Sequence, residues 1–187
     1  MAQVAIKSSA VTNANATPRV QNSKGVEGGN VIRAVSGLVT LTSGDSAAAT
    51  LAAGASTYRV GKVRSADFYD QLRIVTTADM GTTTVVDVGL YDLLTHSNGG
   101  AVVDQDFFAS SLSLKDGAIV TTGSGVNAAD QTFEAGAAGG LITNAEKRIW
   151  ECLGLTSDPG KEYDVVLTLT GACDGTGTAL VQVYVVR

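Results

Sequence analysis

Residues 143–187 read TNAEKRIWECLGLTSDPGKEYDVVLTLTGACDGTGTALVQVYVVR, and the order of signals within them decides the fold. Thr143 and Glu146 have the T-x-x-E spacing of a capping box, in which each side chain covers a free backbone N–H at a helix start. Ile149 and Leu153 are four residues apart and share a helix face, with Trp150 and Cys152 beside them. Gly154 supplies the left-handed residue that commonly ends a helix. Ser157-Asp158-Pro159-Gly160 then reverses the chain, because proline presets φ and glycine accepts a positive one. Two strongly apolar strands, 163–170 and 178–187, follow on either side of a Gly-rich loop. A short helix, a turn and two strands of this kind close the core of a β-rich domain. No catalytic motif lies among them.

Upstream, strand signals recur. Residues 31–42 place Val31, Val35, Val39 and Leu41 on one alternating face. Residues 57–64 (TYRVGKVR), 71–77 and 82–91 also read as strands, and in the last Val86, Val88 and Leu90 oppose Val85, Asp87 and Tyr91. Ser43-Gly44-Asp45-Ser46 is a turn, and residues 47–55 fit a strand edge or a short helix. Residues 104–114 (DQDFFASSLSL) predict one to two turns of helix, with Asp104 as cap and Phe108 and Leu112 four apart. Residues 92–100, with the single histidine His96, read as a loop, and one weak strand at 118–122 interrupts a long excursion over 115–141. The expected fold is therefore all-β: an antiparallel β-sandwich of seven or eight short strands, with a jelly roll as a plausible subtype and two short helices.

Composition agrees with that class. Of 187 residues, 44% are hydrophobic but only 5% aromatic, so the core rests on Val, Leu, Ile and Ala. Charged residues are 17%, below the roughly 25% usual for soluble domains, which suits a surface partly covered by partners. There is no run of 18 apolar residues, so no membrane-spanning helix is expected, and the start MAQVAIKSSAVTN lacks the apolar segment of a secretory signal. Asn15-Ala16-Thr17 is then a chance match to the glycosylation sequon. Cys152 and Cys173 are expected to be free, buried thiols. Residues 1–30, rich in Ala, Ser, Asn, Thr and Gly, predict an extended N-terminal arm ahead of a sandwich domain at 31–187. Residues 1–33 carry a net +3 from Lys7, Arg19, Lys24 and Arg33 against Glu27, while the remainder carries −8. Such an arm suits an acidic neighbour, and its spaced charges without interleaved aromatics do not suggest nucleic acid.

Catalysis finds little support. A Ser-His-Asp arrangement would have to use His96, and no G-x-S-x-G elbow is present. Gly44-Asp45-Ser46 is explained by turn chemistry. Asp104-Gln105-Asp106 and Asp174-Gly175-Thr176-Gly177 bring oxygen donors close together without the calcium-loop pattern. Neither a cofactor nor a metal is expected, and the chain is not expected to be an enzyme.

Four blocks together carry a resemblance: 58–70 (YRVGKVRSADFYD), 85–92 (VVDVGLYD), 99–114 (GGAVVDQDFFASSLSL) and 146–165 (EKRIWECLGLTSDPGKEYDV). In that order, over residues 57–187, the chain resembles a group of small virion proteins of tailed bacteriophages found with the head genes. Members of this kind act as decoration (cement) proteins on the capsid exterior. The resemblance implies a compact β domain, assembled in the host cytoplasm, that oligomerises as a homotrimer or homodimer. It would bridge neighbouring copies of a major capsid protein, with Arg19 and Lys24 of the arm as the electrostatic contacts. The alternatives are a carbohydrate- or receptor-binding module, for which Tyr58, Tyr69 and Tyr91 could stack sugars, and a tail or neck component.

Overall fold

The computed structural model describes residues 31–77, 79–93, 100–114, 119–122 and 147–187. The predicted arm with Arg19 and Lys24, the sequon, His96 and the Thr143/Glu146 box lie outside the described residues.

Among the described residues eight strands run in chain order: β1 (Ile32–Leu41), β2 (Thr57–Arg64), β3 (Phe68–Thr76), β4 (Val85–Asp92), β5 (Val102–Ser113), β6 (Ile119–Thr122), β7 (Glu162–Leu169) and β8 (Gly177–Val186). A 3-10 turn at Leu51–Ala53 and a one-turn helix α1 (Ile149–Cys152) complete the described elements. The strands form two four-stranded sheets, ordered β1-β8-β3-β6 and β2-β7-β4-β5. The antiparallel pairs β1·β8, β2·β7, β3·β6 and β4·β5 nest one inside the next. The first strand thus pairs with the last, the second with the seventh, and so inward to a single hairpin. That is a long hairpin wound into two facing sheets, the jelly-roll arrangement.

The two C-terminal strands take the positions their apolar character demands. β7 and β8 are each flanked by two strands, one in each sheet. The loop between them crosses from sheet to sheet. Gly171 N donates to Val85 O at 2.9 Å, Gly175 N to Met80 O at 3.1 Å, and Gly44 N to Cys173 O at 3.0 Å. The arch is thereby fastened to the β3–β4 connection and to the end of β1.

The core is the layer between the sheets. Val35, Val39 and Leu41 of β1, Leu72 and Ile74 of β3, Val86, Val88 and Leu90 of β4, Leu167 and Leu169 of β7, and Val181 and Val183 of β8 are all buried. Each such side chain contributes about 1.5–3 kcal/mol by leaving water. Val31, expected on this face, lies beyond the layer and is 73% exposed. Where the edge strands β1 and β2 meet across the sandwich, only glycine fits. A Cβ on Gly37 would stand 2.7 Å from Val60 O, and one on Gly61 would collide with Val35 Cγ1.

One expected helix is a strand. All of residues 104–114 but Leu114 fall within β5, whose register with β4 jumps from Ala109 opposite Val88 to Asp104 opposite Leu90. The extra residues form a bulge that breaks the two-residue alternation. Phe107 and Phe108, adjacent in sequence, are consequently both buried, with ring centroids 4.9 Å apart. Broken alternation of this kind imitates helical spacing.

Candidate interaction surface

The two sheets differ on the sides turned away from the core. On the β2-β7-β4-β5 sheet, the outward positions of β4 and β7 include Asp87, Tyr91, Asp164 and Thr168, and all four are buried. The cover comes from the chain itself. The β1–β2 connection runs beside the end of β7, with Ala48 N donating to Leu169 O at 3.3 Å and Leu169 N to Ser56 O at 2.9 Å. The β5 bulge folds over β4 so closely that a Cβ on Gly89 would collide with the carbonyl oxygens of Asp104 and Gln105. Gln105 joins both covers, its Nε2 donating to Ala49 O at 2.9 Å and to Asp87 Oδ2 at 2.8 Å.

The four buried polar side chains under this cover each have a partner, as burial requires. Asp87 Oδ1 accepts the Ser111 N–H at 2.7 Å, which helps hold Ser111 at its left-handed φ of 54°. Tyr91 and Thr168 share a hydroxyl hydrogen bond of 2.6 Å, and Arg59 pairs with Asp164. Burial is the main cause of a raised Tyr91 pKa.

At the rim of the cover is a cavity of about 450 Å³, lined by Ala49, Ala52 and Val102 together with Asp87, Gln105 and Asp106. Val102 and Val103 are exposed beside it, at 42% and 36%. Burial and the neighbouring Asp106 carboxyl push the Asp104 pKa up to about 6. This edge is both apolar and acidic.

Among the described residues, little covers the outer side of the β1-β8-β3-β6 sheet. In β1 the alternate residues Ile32, Ala34, Ser36 and Leu38 are exposed, and Ile32 and Leu38 reach 62% and 75%. Register carries these positions across the sheet. Leu38 pairs with Leu180, Leu180 with Val75, and Val75 with Ile119. The next row on β1, β8 and β3 is polar: Ser36, Gln182 and Arg73, with Arg73 Nη1 donating to Gln182 Oε1 at 3.0 Å. Beyond it come Ala34, Tyr184 and Gln71, and then Ile32, Val186 and Phe68. Helix α1 covers that last end, where Arg148 lies over the Phe68 ring at 5.5 Å. Ile149 N donates to Asp67 O at 2.9 Å and Trp150 N to Ser65 O at 3.0 Å, which fixes α1 on the β2–β3 turn. Asp67 is itself buried and accepts from Arg187 Nε at 3.0 Å.

The residues singled out by sequence fall into place as follows. Asp45 caps its own turn, accepting the Thr42 N–H at 2.7 Å and bonding the Tyr58 hydroxyl. Glu151 accepts the Arg148 N–H at 2.8 Å at the start of α1, whose Ile149 is buried and whose Cys152, with Leu153, packs on the core. Trp150 Nε1 is buried without a hydrogen-bond partner among the described residues. Cys152 and Cys173 are free thiols, and burial pushes the Cys152 pKa up to about 11. Asp104 and Asp106 come together on β5, while Asp174 lies 3.5 Å from the hydroxyls of Thr82 and Thr84. Among the described residues no three His, Cys, Asp or Glu side chains gather as a metal cluster, and no helix is long and apolar enough to cross a membrane. The exposed apolar positions Leu38, Val102 and Val103 were not picked out by sequence. Leu38 carried a signal, since it shares with Ile32 a face of β1 whose other residues are Ala34, Ser36 and Thr40.

No protein family and no curated protein matches the chain. Among solved structures, the chain is similar to one described as "Cyanophage Pam1 capsid asymmetric unit", with 13% sequence identity and a TM-score of 0.48. The similarity covers 92% of this chain and 96% of that one.

Proposed function

We propose that this chain is a structural protein of a bacteriophage virion, a decoration protein that adheres to the capsid exterior and transforms no substrate. The observation that carries this reading is the bare outer side of the β1-β8-β3-β6 sheet. Exposed apolar rows on an otherwise well-packed domain mark a surface that is covered in an assembly. The resemblance of residues 57–187 to phage decoration proteins supplies the kind of assembly. In this reading the protein acts as an oligomer that bridges neighbouring copies of the major capsid protein. Residues 1–30 dock on the shell, with Arg19 and Lys24 meeting acidic groups there. Contacts that are weak singly become strong when repeated over a lattice, so no deep site is needed.

The test is to add purified protein to heads of its phage that lack it. Saturable binding and greater resistance of the heads to rupture are expected. Removing residues 1–30 should lower occupancy, and so should Arg19→Glu combined with Lys24→Glu. Heads that bind none of the intact protein would end this reading.

A further inference from the structure

Two exposed surfaces on this chain complement each other. One is the outer side of the β1-β8-β3-β6 sheet, with exposed Leu38 in register with half-buried Leu180 and Val75, and half-buried Arg73 in the next row. The rows of Leu38, Leu180 and Val75 and of Ser36, Gln182 and Arg73 hold no carboxylate; the exposed carboxylate of β3, Asp70, sits in the bulge between Tyr69 and Gln71, beyond the Arg73 row. The other is the β5 edge, where Val102 and Val103 are exposed beside Asp104, Asp106 and the cavity that Asp87 helps to line. The geometry points to a head-to-tail contact in which the outer sheet face of one copy receives the Val102, Val103 and Asp106 edge of a second copy.

Size and charge both favour this pairing. The Leu38, Leu180 and Val75 row crosses three strands, about 10 Å, and five residues of strand edge extend about 17 Å. Valine side chains can therefore lie on the apolar row while Arg73, one row away, reaches Asp106. A planar guanidinium is well suited to a carboxylate at such a contact. Like surfaces pair less well. Face against face about a two-fold axis would turn Arg73 toward its own counterpart, and edge against edge would do the same to Asp104 and Asp106. Like charges so placed oppose association. The cation also relieves a local conflict, since Asp104 already suffers from burial and from the Asp106 carboxyl. Because the two surfaces are different patches, the contact is heterologous and generates a closed ring or an open chain. It gives surfaces to the oligomer of the reading above and rests on that reading for its place on a particle. The association itself is measured without one.

The test uses the intact chain and analytical ultracentrifugation over a range of concentrations. The expected result is a mass that rises above the 19.0 kDa of one chain. Leu38→Glu spoils only the face and Asp106→Arg only the edge. Each should weaken self-association at least about tenfold, as loss of a central contact does. Leu38 is 75% exposed, so an unchanged unfolding midpoint is expected for its variant and separates lost contact from lost fold. Mixed in equal amounts, the two variants should form a one-to-one pair, because each supplies the surface the other lacks. Arg73→Asp with Asp106→Arg in one chain should restore association. The proposal is overturned if the intact chain stays monomeric, which would leave the sheet face to residues 1–30 or to the shell. It is equally overturned if either single variant keeps the native mass, or if the mixture stays monomeric. Binding of such a monomer to heads would still leave the decoration reading standing.

Discussion

Tyr91 and Tyr184 hold matching positions on the outward sides of the two sheets, yet their surroundings are opposite. Tyr91 is 1% exposed, its hydroxyl bonded to Thr168 at 2.6 Å, under the β5 bulge and the β1–β2 connection. Tyr184 is only half-buried and makes one long hydrogen bond, 3.4 Å to Gln182. Among the described residues, the chain's own segments cover one sheet and not the other. The covered side carries the buried carboxylates Asp87 and Asp164, which must be partnered, and the bare side carries apolar rows that water tolerates until something displaces it. One outer surface serves stability, and the other serves association in the reading proposed above.

Substitutions can break this contrast. Tyr91→Ala should be the most damaging, at about 3–5 kcal/mol, the scale for removing a large buried ring. Urea unfolding would show it, and a loss below about 1 kcal/mol would mean the cover is not rigid. Asp87→Ala comes next, at about 1.5–3 kcal/mol, because Gln105 and the Ser111 N–H lose a charged acceptor. Tyr184→Ala should cost less than about 1 kcal/mol, and Leu38→Glu should shift stability by no more than about 0.5 kcal/mol in either direction. A large loss from Leu38→Glu would show that the bare face is part of the folded core.

A last prediction sharpens the contrast through pH. The Asp104 carboxyl is raised in the folded chain from 3.8 to about 6, so folding favours its neutral form. Its penalty is absent at low pH, grows as pH rises between those values, and is constant above them. Asp104→Asn should therefore raise the urea midpoint at about pH 7.5 and leave it unchanged at about pH 3.5. A gain of equal size at both would assign the effect to packing rather than charge.

Much of the fold could be read from the chain because its signals were local. β1, β2, β4, β7 and β8 follow alternation or apolar runs bounded by turn residues, and the described strands match them closely. The Asp45 turn needed only its own four residues. What stayed hidden depended on distant parts of the chain. Phe108 and Leu112 suggested a helix because a bulge, set by pairing with β4, disrupts the period of β5. Nothing near Asp87 or Tyr91 says that Gln105 and the β1–β2 connection will close over them. The interaction surface was unread for the same reason, since Leu38, Leu180 and Val75 lie far apart in sequence and become one row only through strand register.

The most direct test of the central claim is a cryo-electron microscopy reconstruction of the intact phage particle. The account predicts jelly-roll density on the outside of the head, with the Leu38, Leu180 and Val75 row covered by a neighbouring molecule. Particles without this density, or density with that row facing open solvent, would contradict it.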